Sequence, residues 1–236
     1  MLYQSLIERA QPLEYALDWG CLRGLGWGNV DKPRYILLHG WLDNCHSFLP
    51  LIEQLHEPDD GIIALDWAGH GYSDHRPTGN YYHFTDYAYD IWQLIKIQEW
   101  SGVTIIGHSM GGFVAMRYLE GALSRGKTSP IAGLSLLASV PPSGLWGPSL
   151  SLMTFQPTLF FELAMIQSGQ PSWMSLDSVN RALFTPATPK DAAHAYYARL
   201  STESRRAVME MQGRCACPYV PGSVTPRSPA PGATST

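Results

Sequence analysis

The sequence predicts an α/β fold, a doubly wound and mostly parallel sheet carrying a helical cap. Three observations carry this expectation. Short apolar runs alternate with longer segments of helical period, and several strand–helix units in series imply a parallel sheet with right-handed crossovers. The runs are nearly continuous in Ile, Leu and Val, the pattern of strands covered on both faces. At Pro141 the alternation stops, and only helical-looking segments follow.

The elements follow in order. "LEYALDW" (13–19) and "LRGLGWG" (22–28) form an antiparallel hairpin at the sheet edge. "RYILLHG" (34–40) is the first buried strand, "SFLPLIEQLH" (47–56) a helix, and "GIIALDW" (61–67) the second buried strand. "YHFTDYAYDIWQLIKIQEW" (82–100) is a long amphipathic helix. It leads to the strand "GVTIIGHS" (102–109), the helix "GGFVAMRYLEGAL" (111–123) and the strand "IAGLSLLASV" (131–140). "PPSGLWGPSL" reads as a breaker-rich linker, and "TLFFELAMIQ" and "KDAAHAYYARLSTESRRAVMEM" as cap helices. The predicted organisation is a core over 1–141, a helical cap region over 142–212 and a disordered tail over 213–236. The tail holds five prolines, no Leu, Ile, Phe, Trp or Met, and no side-chain carboxylate.

Composition narrows the function. A 236-residue chain with 45% hydrophobic and 15% charged residues builds a sizeable core. A net charge of −4 and a pI near 6.0 give no basis for binding nucleic acid or an anionic membrane. The N-terminus lacks the charged and apolar regions of a signal peptide, and no stretch reaches membrane-spanning length, so a cytoplasmic protein is expected. Cys21, Cys45, Cys215 and Cys217 match neither metal-site nor disulfide-framework spacing, and no metal is expected.

The chemistry concentrates at Gly107-His108-Ser109-Met110-Gly111, a Gly-x-Ser-x-Gly pattern between a strand and a helix. A nucleophile on so sharp a turn needs strained backbone angles, and Gly107 and Gly111 remove the side chains that would collide with it. The helix that follows points N–H groups at the oxyanion formed when Ser109 attacks a carbonyl. A second strand-end turn, "LLHGWLDN" (37–44), offers the Trp41 N–H as a partner donor to that of Met110. His39 is read as structural. In "LDWAGHGYSDHRP" (65–77), Asp66 and Asp74 are expected to tie loop N–H groups together, and His70 and His75 to be satisfied loop residues.

Taken together, "LLHGWLDN", "LDWAGHGYSDHRP" and "IIGHSMGG" resemble the α/β-hydrolase fold superfamily. Trp41-Leu42-Asp43-Asn44 and "DHRP…YHFTDY" are similar to its serine-hydrolase-like group. The resemblance covers about residues 13–141. It implies Ser109 as nucleophile, Trp41 and Met110 as the oxyanion hole, and a helical cap after 131–140. It also implies acyl-enzyme hydrolysis of a carboxylic ester, thioester or lactone without a cofactor.

The family's order of Ser, later acid, then His is not met. After Ser109 the chain holds only His194, with Asp177 and Asp191 as aspartates, so the hydrolase core is expected to be incomplete at its C-terminal edge. A frameshift, splice or misassembly near residue 213 is one expected origin. Asp191 and His194 share a helical face but lie in the cap. His108 should turn away from Ser109, since neighbours on a strand face opposite ways. His46 and His83 have no spacing that brings them to the serine.

Two functions are therefore open. One is a serine hydrolase acting on a small molecule with an apolar acyl group, its activity reduced by the missing partners. The other is a non-catalytic binding protein that retains the pocket. The oligomeric state is not legible.

Overall fold

The structure is a computed structural model that describes residues 3–41, 43–55, 60–124, 130–167, 177, 180 and 184–197. The predicted tail, with Cys215 and Cys217, lies outside the described residues.

A short helix α1 (Gln4–Glu8) precedes the hairpin of β1 (Gln11–Leu17) and β2 (Gly20–Trp27). Next come β3 (Pro33–Leu38), a 3₁₀ turn at Cys45–Phe48, α2 (Leu49–Leu55) and β4 (Gly61–Leu65). The chain continues through α3 (Phe84–Ile97), β5 (Val103–His108), α4 (Met110–Leu123) and β6 (Ile131–Leu137). The cap region shows α5 (Trp146–Phe155), α6 (Pro157–Gln167) and α7 (Lys190–Tyr197).

Among the described residues the sheet has six strands in the order β1-β2-β4-β3-β5-β6. β1 and β2 run antiparallel to each other, and β2 antiparallel to β4. The pairs β4–β3, β3–β5 and β5–β6 are parallel. The predicted mostly parallel α/β architecture is what forms.

Alternation along the strands builds two cores. Ile36, Leu38, Ile63, Leu65 and Ile105 face one side with Ile91 and Leu94 of α3 and Val114 and Tyr118 of α4. Leu37, Ile62, Ala64 and Ile106 face the other, with Leu6 of α1 and Leu49 and Ile52 of α2. Since successive strand residues point to opposite faces, only runs apolar at every position can serve both cores.

The parallel register aligns the strand ends that matter for function. Leu38 of β3 pairs with Leu65 of β4 on one side and Gly107 of β5 on the other, and His108 pairs with Leu137 of β6. The turns after β3, β4, β5 and β6 therefore gather along one edge of the sheet, where open α/β folds place their sites.

Candidate active site

Ser109 leaves β5 and enters α4 with φ 51° and ψ −115°, a conformation that resists side chains. Its surroundings hold it there. The Ser109 N–H donates to Leu137 O at 3.0 Å, and its carbonyl accepts from Val140 N–H at 3.1 Å and Phe113 N–H at 3.3 Å. The end of β6 thus clamps the turn at the end of β5.

The flanking glycines are required sterically. A methyl group at Gly107 would overlap the backbone of Gly112, and one at Gly111 would overlap the Leu38 carbonyl at the end of β3. Gly40 is a third close approach. A methyl group there would meet the Cβ of Ser109 and the Nδ1 of His108, each at 3.1 Å.

The two predicted oxyanion donors sit at neighbouring strand ends. Met110 opens α4 and is buried, while Trp41 follows Gly40 and packs half-buried against the core. Neither backbone N–H has a hydrogen-bond partner among the described residues. The first bond into α4 is that of Phe113, which leaves the N–H groups before it available at the positive end of the helix.

The polar residues around the site are mostly structural. His39 is fully buried, its Nδ1 donating to Gly40 O at 2.6 Å while its Nε2 accepts from Trp67 N–H at 3.2 Å. Burial holds its pKa well below the ordinary histidine value, so the ring is neutral. Asp66, also fully buried, accepts from Cys45 N–H at 2.6 Å and Tyr72 N–H at 2.9 Å, tying the 3₁₀ turn to the loop after β4. Asp74 accepts from Cys21 N–H at 3.0 Å and pairs with Arg23. His70 is buried with its Nδ1 bonded to Ala68 O, and His75 is exposed.

Among the described residues no histidine hydrogen-bonds to Ser109. His194 is exposed and bonds through Nδ1 to Lys190 O of its own helix at 3.3 Å. His108 is half-buried, with its Nδ1 4.0 Å from Asp43 Oδ2. Asp191 and Asp177 are exposed.

Asp43 was legible in the sequence only as part of a resemblance, yet it is the most unusual carboxyl near Ser109. It is 3% exposed. Its Oδ1 accepts from Asn44 N–H at 2.9 Å, Oδ2 is fully buried, and the Ser47 and Tyr196 hydroxyls bond to the same carboxyl. Burial pushes the carboxyl up to about 7, with the Asn44 N–H pulling the other way. The Tyr196 hydroxyl of cap helix α7 faces the same carboxyl, and burial with that carboxyl raises the phenol's pKa. Tyr196 carries no sequence signal, because only the fold of the cap brings it to residue 43.

Among the described residues no cluster of His, Cys, Asp and Glu suits a metal, and no helix is long and apolar enough to cross a membrane.

Comparison with known proteins places these features in context. A profile of the alpha/beta hydrolase fold matches residues 33–216. A serine hydrolase-like protein of Danio rerio is 41% identical over 112 residues, covering 47% of this chain and 34% of the relative. An esterase of Mycobacterium tuberculosis is 33% identical over 139 residues, covering 59% of this chain and 41% of the relative. The matched stretches thus span about a third to two fifths of these relatives. Among solved structures, an esterase from Exiguobacterium antarcticum superimposes with a TM-score of 0.62 at 23% identity, covering 82% of this chain and 69% of that one.

Proposed function

Because the chain belongs to the α/β hydrolase fold family, we propose that it acts as a serine hydrolase in which Ser109 attacks the carbonyl of a carboxylic ester, thioester or lactone. The observation that carries this is the elbow. A serine held at positive φ between a strand and a helix, next to Met110 and Trp41 N–H groups that have no partner among the described residues, supplies the nucleophile and the oxyanion donors of acyl transfer.

In the proposed route the Ser109 oxygen adds to the carbonyl carbon, the carbonyl oxygen becomes an oxyanion held by the Trp41 and Met110 N–H groups, and the alcohol or thiol departs with a proton. Water then adds to the acyl-enzyme and releases the acid. Donors fixed by the backbone need no reorganisation as the charge develops, and one such donor contributes about 3 kcal/mol to the rate. No cofactor takes part in this route.

The substrate is proposed to be a small molecule with an apolar acyl group. The cap region supports this through Leu150, Met153, Phe155 and Phe161, large apolar side chains that α5 and α6 leave exposed. The division into core, cap and tail at residues 141 and 212 belongs to the same proposal. So does a cytoplasmic setting, in keeping with free thiols at Cys21 and Cys45.

One observation favours a second reading, a binding protein that keeps the pocket without the chemistry. No histidine among the described residues activates Ser109, and an unassisted hydroxyl is a weak nucleophile. Turnover of p-nitrophenyl butyrate by the wild-type chain and by Ser109→Ala separates the two. The hydrolase reading expects wild-type turnover above background and a loss of about 100-fold or more in the variant. Equal rates at background support the binding protein.

A further inference from the structure

We infer that Ser139, in the turn after β6, is a positioning residue for the nucleophile: its hydroxyl wedges against Gly112 and so fixes the turn to which Ser109 is bonded at both its N–H and its carbonyl. The role in catalysis rests on the hydrolase reading above; the wedge itself rests on geometry.

The first observation is the pair of bonds. The Ser109 N–H donates to Leu137 O at 3.0 Å, and the Ser109 carbonyl accepts from Val140 N–H at 3.1 Å. Between these two contacts lie Ala138 and Ser139, so whatever fixes them fixes the backbone of the nucleophile from outside its own strand and helix. Among the described residues β6 is the last strand of the sheet, and its end is braced from the β5 side alone.

The second observation is strain in that short turn. Ala138 has φ 43°, in the left-handed region that residues other than glycine rarely adopt. Its side chain is exposed and has no packing of its own to hold the conformation. The holding contact comes from the next residue.

The third observation is the wedge. Ser139 Oγ is buried and has no hydrogen-bond partner among the described residues. It stands 1.6 Å from where a methyl group on Gly112 would lie, and Ser139 Cβ stands 2.8 Å from the same point. The hydroxyl oxygen therefore fills the notch left by the missing side chain of Gly112, in the first turn of the helix that Ser109 opens. A hydroxyl buried without a partner costs stability, so stability does not account for its place. Alanine at 139 would end at Cβ and leave the notch open. The turn could then shift against α4 and carry Ser109 with it, and displacements of about 1 Å at a reacting group slow reactions severely.

The test compares the wild-type chain with Ser139→Ala in three measurements: the second-order rate of fluorophosphonate labelling at Ser109, the urea midpoint, and exchange of the Ser109 amide proton by NMR. Labelling about tenfold slower and amide exchange about tenfold faster are expected, with a midpoint equal to or above that of the wild type because an unpaired buried hydroxyl has gone. Ala138→Gly, which frees the strained φ without touching Gly112, is the second variant and should likewise slow labelling without lowering the midpoint. Unchanged amide exchange in Ser139→Ala, unchanged labelling where the wild type labels, or a rate that falls together with the midpoint overturns the inference. Failure of the hydrolase reading looks different: the wild type would take no label at Ser109 while its amide exchange still responded to Ser139→Ala.

Discussion

Ser109 holds a backbone conformation that costs on the order of 1–3 kcal/mol and persists because its neighbours leave it no alternative. The constraint comes from three bonds and three glycines, and it yields a sharp prediction. Gly111→Ala places a methyl group into the Leu38 carbonyl, which is backbone and cannot rotate aside. A loss of about 3 kcal/mol in urea unfolding, accompanied by loss of ester turnover, is expected. Asp43 gives a second prediction at this scale. Its folded-state pKa of about 7 lies above the ordinary aspartate value near 4, so between those limits the folded chain retains a proton that the unfolded chain releases. Its contribution to stability is present below pH 4 and declines as pH rises through 7. The groups facing it are Asn44, Ser47, His108, Tyr196 and Asp66, and only Asp43 is changed in Asp43→Asn. Unfolding free energies measured from pH 4.5 to 7.5 should decline less in that variant than in the wild type. A parallel pair of curves would assign the slope to other groups.

At the scale of elements, what the sequence makes legible follows from how local the cause is. The glycines, the strand and the helix around Ser109 are contiguous, so pattern alone places the elbow. The buried strands are recognisable because each must serve two cores, and their structural bounds fall within two or three residues of those expected. The cap is less legible. α5 begins at Trp146, inside the stretch "PPSGLWGPSL" that reads as a breaker-rich linker, because Pro148 falls in the first turn of the helix, where a missing N–H is tolerated. α1 carries no signal in the sequence, being five residues whose only buried member is Leu6. The roles of Asp66 and His39 were expected from loop chemistry, and the structure supplies the partners. Asp66 joins two segments by bonding Cys45 N–H and Tyr72 N–H, so Asp66→Ala would take the partner from both donors, the Cys45 N–H being buried. About 3 kcal/mol of destabilisation by thermal or urea unfolding is the expected outcome. The Asp43, His108 and Tyr196 grouping was not legible, because its members are 43, 108 and 196 residues into the chain and meet only through the strand register and the cap.

For the whole molecule, the same parallel register that builds two cores also gathers the turns after β3, β5 and β6 around Ser109. Stability and function share this frame, and one buried ion pair tests the link. Arg76 in the loop after β4 pairs with Asp90 of α3, and Trp19 Nε1–H donates to the same carboxylate at 2.8 Å. Truncation to Asp90→Ala leaves a buried guanidinium uncompensated and should lower stability by about 3–5 kcal/mol. The account as a whole turns on Ser109 as a nucleophile. Its most direct test is covalent labelling of the wild-type chain by a fluorophosphonate, with peptide mass spectrometry to locate the adduct and Ser109→Ala as the control. The account predicts one phosphonylated serine, at position 109, and no adduct in the variant. Equal labelling of the two chains, or none in either, would contradict it.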